Sequence, residues 1–337
     1  MTASPSLELP HTPSTPVGSR CGARRQRLDV HDDGVDRWHM LRAAPGELLG
    51  RQVSGYTAYD ERTGGPLVRR ELATGEAVLI LNLGPAIRVG CADGSDLRIP
   101  QGEAFVAGAS LATSLVETAG SQAGIQIDLP VRTLAALIDV PLAELTDRAA
   151  LLRDVCDHGR LSTGELIDLA ARLIADRGAA AGEPGLQRVD EALLGRLADA
   201  ALSPRAESVE VTFRVRDRLA TSRPPSVSRL ARELGWSRRR LTRTFRSQLG
   251  TTPSHFVRLA RFERFWRSLR SAHGDPQPSP VPGGAAFGPS DATLADLALS
   301  AGYFDQAHLS REVRSFAGCT PSELRRSLLP AGGGFIA

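Results

Sequence analysis

The chain has 337 residues, of which 42% are hydrophobic and 23% are charged, close to the average of globular proteins. This composition excludes a wholly disordered or fibrous chain, and the length indicates two or three domains. The longest uncharged stretches are shorter than the roughly 18 apolar residues that a membrane span requires. The first twenty residues are rich in Pro, Ser and Thr and do not resemble a secretory signal, so we expect a cytoplasmic protein.

The four cysteines, at positions 21, 91, 156 and 319, are too far apart for a disulfide-dense domain or a short-spaced zinc motif. We expect them to be buried or idle thiols.

Positive charge is concentrated in one block of the chain. The net charge of the whole chain is only +3, and all 41 basic residues are arginine. From Ser222 to Ser271 there are thirteen arginines and two glutamates, which gives this block a charge of +11. Such a block suits a polyanion, because each neutralised phosphate releases condensed counterions. The alternative is a solvated helical face on a soluble protein.

The amino-terminal part predicts a tail followed by strands. Residues 1–28 have four prolines and few apolar residues, which predicts a disordered tail. From about Leu48 to Leu129 the chain has short β-like runs, with a buried strand expected at Val78 to Leu83. Ile87 to Cys91 is expected to pair with Leu97 to Ile99 across the turn signal Asp93-Gly94. These runs indicate a β-sandwich or barrel.

Helical periodicity begins at Val131. Further helical patterns cover about 166–173, 186–202 and 209–220, and Pro224-Pro225 must end the last of them.

Beyond these prolines the sequence repeats itself. Four positions recur 67 residues later and seven recur 68 residues later, and the change of offset falls inside a turn. The two series are Leu230, Ala231, Gly235 and Trp236 with Leu297, Ala298, Gly302 and Tyr303, and then Leu241, Arg243, Arg246, Gly250, Thr252, Pro253 and Ser254 with Leu309, Arg311, Arg314, Gly318, Thr320, Pro321 and Ser322. Eleven coincidences predict two copies of one supersecondary unit.

The first copy predicts a helix, a tight turn and a second helix. Val227 to Leu234 is expected to end at Gly235 in the left-handed conformation, and Ser237 to cap a helix over Arg238 to Leu249. Leu241 and Phe245 belong to its inner face. Its outer face is expected to carry Arg238, Arg239, Thr242, Arg243 and Arg246. Such a stripe fits the major groove, where arginine binds guanine and threonine meets a thymine methyl.

A third helix is expected to begin at Thr252-Pro253. It carries five arginines at a three-residue spacing, which spreads them over a broad face suited to backbone phosphates or an acidic protein surface. They are Arg258, Arg261, Arg264, Arg267 and Arg270.

In the second copy Asp305 is the expected cap of a recognition helix that runs to about Phe316, and Thr320 and Glu323 form a capping box for the closing helix. Leu309, Val313 and Phe316 are expected to face inward. The outer positions are Gln306, Ala307, His308, Arg311 and Arg314, although His308 could equally be a surface histidine without a role.

These residues resemble the AraC/XylS family of bacterial transcription regulators, whose DNA-binding domain has two helix-turn-helix subdomains joined by a linker helix. The resemblance covers about 110 residues, and its signature halves include Leu230 to Ser237 and Ala301 to Arg311. It implies base reading by Arg239, Thr242 and Arg243 in the first unit and by Ala307, His308 and Arg311 in the second.

The chain departs from the family pattern in two places. Leu309 and Val313 stand where the family usually has Phe, which predicts a smaller second core. Residues 272–290 include five prolines and four glycines, inserted where the linker helix normally runs almost directly into the second unit. Because such a chain is flexible, we expect it to loosen the register of the two units and to allow variable spacing of their sites.

The amino-terminal region more weakly resembles the sensing domains attached to such regulators, on the segments Arg70 to Gly84 and Pro141 to Arg148. By this analogy it is a cupin-like β-barrel followed by helices, for effector sensing or dimerisation.

No enzymatic chemistry is expected. The histidines at 31, 39 and 158 form no close pair with a carboxylate in the β region, so we expect no metal site. There is no G-x-S-x-G motif, and a chain without lysine cannot have a phosphate-loop lysine. We therefore expect no catalytic residues and no cofactor.

The predicted fold class is α+β: a β-barrel-like, cupin-like domain with following helices, then an all-α domain with two helix-turn-helix units. The expected partners are double-stranded DNA and a small-molecule effector, with RNA polymerase and a second copy of the chain left open, and no membrane. An alternative is that the amino-terminal domain only dimerises or binds a protein partner. The predicted division is a tail at 1–28, a sensing or dimerisation domain at 29–204, a first unit with linker helix at 208–271, an insertion at 272–290, a second unit at 291–329 and a tail at 330–337.

Overall fold

The computed structural model describes residues 25–138, 140–156, 164, 166–168, 171–172, 182–201, 205–272, 293–326 and 335–336. Most of the predicted amino-terminal tail, nearly all of the 272–290 insertion, His158 and most of the carboxy-terminal tail lie outside the described residues. Within the described part, no helix is both long and apolar enough to cross a membrane.

The amino-terminal part consists of two antiparallel sheets. The larger has the order β1-β2-β3-β10-β5-β8-β11 and the smaller β12-β4-β9-β6-β7. The sheets do not close into the barrel expected from the cupin-like analogy. The strands are β1 (Gln26–Asp32), β2 (Arg37–Ala43), β3 (Gly55–Arg62), β4 (Leu67–Glu71), β5 (Ala77–Asn82), β6 (Ile87–Gly90), β7 (Asp96–Ile99), β8 (Glu103–Ala107), β9 (Ser114–Thr118), β10 (Ser121–Leu129), β11 (Ala149–Leu151) and β12 (Phe335–Ile336).

Two predicted β features are confirmed and one hairpin was missed. The buried strand is β5, and β6 pairs with β7 across a turn in which Gly94 has a φ of +88°. The missed hairpin is β1–β2, whose first strand begins inside the predicted tail. The sequence of β1 does not show the usual pattern of a strand with apolar residues facing inward. Leu28 and Val30 are exposed, whereas Asp29 is buried and pairs with arginines.

The core of the larger sheet lies on the face that meets the helices. Leu79, Leu81, Ile125 and Ile127 are fully buried and pack with Leu134 of helix α1 (Val131–Leu137). The remaining helices before the repeat are α2 (Leu152–Val155), α3 (Gly182–Ala201) and α4 (Arg205–Leu219). The last two match the helices predicted over about 186–202 and 209–220.

One buried polar contact fixes α3 on this sheet. The Tyr56 hydroxyl on β3 donates a hydrogen bond of 2.5 Å to Asp190, which also accepts from the Gly46 amide. A buried polar group that is hydrogen-bonded in this way avoids the cost of desolvation.

The carboxy-terminal helices follow the predicted order, so an all-α domain after a sheet-rich one is confirmed as the fold class. They are α5 (Val227–Glu233), α6 (Arg238–Leu249), α7 (Pro253–Ala272), α8 (Leu294–Ala301), α9 (Gln306–Ala317) and α10 (Pro321–Arg326).

Helix α7 is shared by both repeat units. Near its start, Phe256 and Ala260 belong to the core that contains α5 and α6. Phe262, Phe265 and Leu269 instead belong to the core formed with α8 and α9. The second unit is therefore packed directly on α7, and its placement does not depend only on the chain that connects them.

The helical domain also contacts the sheets. The Thr146 hydroxyl donates to the Leu249 carbonyl at the end of α6, and the Ala73 amide donates to the Phe316 carbonyl near the end of α9. A third contact joins Arg216 of α4 to the sheets, since it donates a hydrogen bond of 2.7 Å to the Gly75 carbonyl. The ends of both second helices are thus tied to the amino-terminal domain.

Candidate nucleic-acid interface

The first unit has the predicted helix-turn-helix geometry. Gly235 has a φ of +64°, a left-handed conformation that closes the turn without a Cβ clash. The Ser237 hydroxyl accepts a hydrogen bond from the Arg240 amide and caps α6. Leu241 and Phe245 are buried, so α6 packs with this face inward and leaves the opposite face to solvent.

The outer face of α6 carries four arginines whose side chains have no partner among the described residues. Arg238, Arg239, Arg243 and Arg246 are all exposed, and none makes a hydrogen bond or ion pair within the described residues. Thr242 lies beside them and is half-buried. Each guanidinium carries five N–H donors and a permanent positive charge, so this face presents donors for an external anionic partner.

The charge at the start of α6 opposes the helix dipole. Its first turn contains Arg238, Arg239 and Arg240 and no acidic residue. Cations at a helix amino terminus are unfavourable, because the free amide groups there already carry partial positive charge. Arg240 is held over the Trp236 ring at 4.5 Å from its centre. The other two arginines add to a positive potential that only an anion would relieve.

The second unit repeats this construction. Gly302 has a φ of +91°, and the Asp305 carboxylate accepts from the His308 amide to cap α9. Leu309, Val313 and Phe316 are buried as predicted. The exposed outer positions of α9 are Gln306, Ala307, Arg311 and Arg314.

His308 is turned further inward than the other predicted base-reading residues. Its Nε2 atom lies 2.9 Å from a terminal nitrogen of Arg261 and 3.4 Å from Glu312, and its ring meets Tyr303 edge-on. The Nε2 atom is thus occupied by contacts within the chain. Any base contact by His308 would have to use its other nitrogen.

Four of the five arginines along α7 have a contact within the chain, and the Arg270 guanidinium lies 5.8 Å from the centre of the Trp266 ring. Arg258 and Arg261 lie 3.0 and 3.6 Å from the Glu312 carboxylate, and Arg264 donates to the Ala220 carbonyl. Because α7 is the central helix of two cores, most of its circumference faces protein, and Arg258 and Arg261 have an acidic partner within the chain. Phosphate contact by the α7 arginines stays a prediction. Arg267 alone of the five is exposed.

Glu312 was not singled out by the sequence analysis. It lies on the inner side of α9 and is only 4% exposed, although acidic residues are rarely buried. The signal available in the sequence was its helical spacing, which places Glu312 on the same face of α9 as apolar residues. Burial with two arginines and a histidine makes it the main polar link between α7 and α9.

The described residues include no group of three His, Cys, Asp or Glu side chains that could hold a metal ion. A cavity of about 370 Å³ lies where the smaller sheet meets the end of α9, and its lining includes Arg70, Cys91, Thr113 and Gly318. Another, of about 580 Å³, lies among the turns at one end of the sheets, next to Asp60 and Gln122.

No protein-family model matches this sequence, and no curated protein matches it. Several solved structures are similar in fold. ToxT from Vibrio cholerae matches with 9% identity and a TM-score of 0.48, over 80% of this chain and 97% of its own. Wild-type ToxT of strain SCE256 with a bound unsaturated fatty acid matches with 10% identity and a TM-score of 0.43, over 78% of this chain and 96% of its own.

The AraC-like transcriptional activator CuxR matches with 15% identity and a TM-score of 0.32, over 70% of this chain and 85% of its own. These identities and TM-scores are too low to transfer the role of any residue.

Proposed function

We propose that this chain is a cytoplasmic, sequence-specific DNA-binding transcription regulator of the AraC/XylS type. The observation that carries the proposal is the outer face of α6, the second helix of a helix-turn-helix, with four exposed arginines and no partner for any of them in the described structure. The same helix-turn-helix recurs in α8 and α9.

The spacing of the α6 arginines suits direct contact with base pairs. Arg239, Arg243 and Arg246 are at i, i+4 and i+7, which places them along one side of the helix. Arginine can make a bidentate contact with the O6 and N7 atoms of guanine in the major groove. Arg238 precedes them at the helix start, where phosphate contact fixes the register of the helix on the duplex. Thr242 offers a methyl group and a hydroxyl between them.

The second unit offers a different set of groups. Gln306 can bind adenine through its amide, and Arg311 and Arg314 supply positive charge further along α9. Ala307 is small and apolar, and the inward-turned His308 offers at most one nitrogen. We therefore assign most of the electrostatic affinity to the first unit.

A small-molecule effector in the amino-terminal domain is the second part of the proposal. The 370 Å³ cavity supports it, because its lining joins Arg70 of the smaller sheet to Gly318 at the end of α9. A molecule bound there would contact both domains. The alternative is that this domain only dimerises or binds a protein such as RNA polymerase. Thermal stabilisation by a member of a metabolite panel supports sensing, whereas light scattering that detects a dimer with no such stabilisation supports the alternative.

DNA binding is tested with the full chain and a duplex selected by it from a random pool. Arg243→Ala is expected to cost roughly 1–3 kcal/mol on that duplex and to relax preference at one base pair. Arg98→Ala is the matched control, since it removes an exposed arginine from strand β7 of the amino-terminal domain. Fluorescence anisotropy measures both. Failure to prefer any duplex over heparin, or equal losses for the two variants, overturns the proposal.

A further inference from the structure

The turn of the second unit exposes an aromatic ring. Phe304 is 88% exposed, the highest value among the large apolar side chains of the described residues. The preceding Tyr303 is only 2% exposed and packs edge-on against Phe265. The turn therefore directs one ring into the core and the next into solvent.

Phe304 is not needed to build the turn. The repeat offset changes from 67 to 68 between Tyr303 and Asp305, so Phe304 is the extra residue of the second unit. In the first unit Trp236 is followed at once by the cap Ser237. Both caps accept a hydrogen bond from the amide three residues later, with or without the extra residue. Neither helix capping nor core packing explains the ring.

The ring lies beside the end of α9 that would enter the groove. Phe304 directly precedes the cap of α9, and in a helix-turn-helix the first residues of the second helix contact base edges. Here those residues include exposed Gln306 and Ala307. At the repeat-equivalent positions the first unit has Arg238 and Arg239. Where the first unit presents two positive charges, the second unit therefore presents a neutral and partly apolar surface.

We propose that Phe304, together with Ala307, recognises the 5-methyl groups of thymines in the major groove. This inference rests on the proposed function and adds a base class to it. The thymine methyl is the apolar group of the major groove, and alanine and phenylalanine are suited to contact it.

A DNA partner fits this surface better than a protein partner. Arg311 and Arg314 lie further along α9, are exposed, and make no side-chain hydrogen bond or ion pair within the described residues. Ala307, Arg311 and Arg314 form an i, i+4, i+7 stripe, which is the stripe that Arg239, Arg243 and Arg246 form on α6. One exposed ring at the end of a cationic stripe is too small an apolar surface for a stable protein interface, but it matches the size of a methyl contact.

The test uses the full chain and a duplex that it selects from a random pool. Thymines are replaced one at a time by deoxyuridine, which removes the methyl group and leaves base pairing unchanged. For the wild type, affinity is expected to fall at least about fivefold at one or two positions, the low end of a base-specific contact. Phe304→Ser is expected to lose a similar factor on the thymine duplex and to be insensitive to deoxyuridine at the same positions.

Two further variants separate contact from folding. Phe304→Leu keeps an apolar side chain and is expected to retain part of the thymine preference. Val35→Ser removes a 70% exposed apolar side chain from the β1–β2 hairpin and is expected to behave as the wild type. Because Phe304 is exposed, Phe304→Ser is expected to unfold at the same temperature as the wild type.

The outcomes separate this inference from the proposed function. Failure to select any duplex contradicts the function itself. A selected duplex that is insensitive to deoxyuridine at every position, or a Phe304→Ser variant with the wild-type response, overturns only the thymine contact. A variant that keeps DNA affinity and thymine preference but loses transcription in a reporter identifies a protein-docking residue, which also overturns the inference.

Discussion

The Thr74 hydroxyl donates a hydrogen bond of 3.1 Å to the carboxylate of Glu263, and this joins the loop between β4 and β5 to helix α7. The Gly75 amide donates to the same carboxylate oxygen at 2.7 Å. Since α7 is shared by both helix-turn-helix units, this carboxylate is a direct link between the sheets and the whole carboxy-terminal helical domain.

Loss of that carboxylate is expected to weaken the junction. Glu263→Ala leaves the Gly75 amide without its acceptor, which is expected to lower the free energy of unfolding by about 1–3 kcal/mol. Glu263→Gln keeps an acceptor oxygen and is expected to lose less. Urea unfolding measures the stability of each variant, and hydrogen exchange of the Gly75 amide reports the local opening. Unchanged exchange of this amide in Glu263→Ala would contradict the contact.

The contacts of the α7 arginines show which features of the helical domain could not be predicted from the sequence. The starts and ends of α6 and α9 were predictable because Ser237, Asp305 and the turn glycines are local signals. The acceptor of Arg258 is Glu312, which lies 54 residues away in the chain. No local pattern encodes such a pairing, so exposed and bound arginines in the same basic block look alike in the sequence.

The strands likewise include some that local sequence patterns predict and some that they do not. β5 and the β6–β7 hairpin follow from apolar runs and a turn signal, whereas β1 exposes Leu28 and Val30 and buries Asp29. In that reversal Asp29 pairs with Arg27 of its own strand at 2.7 Å and with Arg42 of the neighbouring strand at 3.6 Å. A closed barrel was one of the two architectures that the β-like runs indicated and the one that the analogy favoured, and closure is not encoded in any one strand.

Glu312 is expected to fix α9 on α7. Glu312→Leu would remove the carboxylate between Arg258, Arg261 and His308 and leave their charges and donors without an acceptor. We expect a loss of roughly 1–3 kcal/mol in stability, because the arginines are partly exposed and water compensates in part. Arg311→Ala, one residue earlier and exposed, is the matched control and is expected to weaken DNA binding without a change in stability. Equal stability of the two variants in urea would contradict this role of Glu312.

The packing of the second unit on α7 predicts a single preferred spacing of the two DNA half-sites. The Pro- and Gly-rich composition of residues 272–290 led to the expectation of variable spacing, but Phe262 and Phe265 of α7 are fully buried in the second core. Affinity measured on duplexes with base pairs inserted or deleted between half-sites is expected to show one sharp optimum. Phe265→Ala leaves a cavity in that core and is expected to broaden the optimum. A flat profile for the wild type would support the earlier expectation instead.

His255 makes the stability of the packing between α7 and α9 depend on pH. Its ring lies edge-on to Phe316, and its Nε2 atom is buried without a hydrogen-bond partner among the described residues. Burial, and then the charge of Arg258, lower the pKa of His255, while Asp147 and Glu312 oppose this shift. The folded protein therefore favours the neutral ring, whereas the unfolded chain takes up a proton near the ordinary pKa of about 6.5.

It follows that the His255 contribution to stability is fully present above about pH 6.5 and is lost as the pH falls through the lowered pKa. Urea midpoints measured at pH 7.5 and 5.5 are expected to fall more in the wild type than in His255→Gln, which cannot take up the proton. The comparison is made between the two slopes, because other groups titrate equally in both proteins. If the midpoint of His255→Gln falls as steeply as that of the wild type, burial of the neutral ring is not the cause.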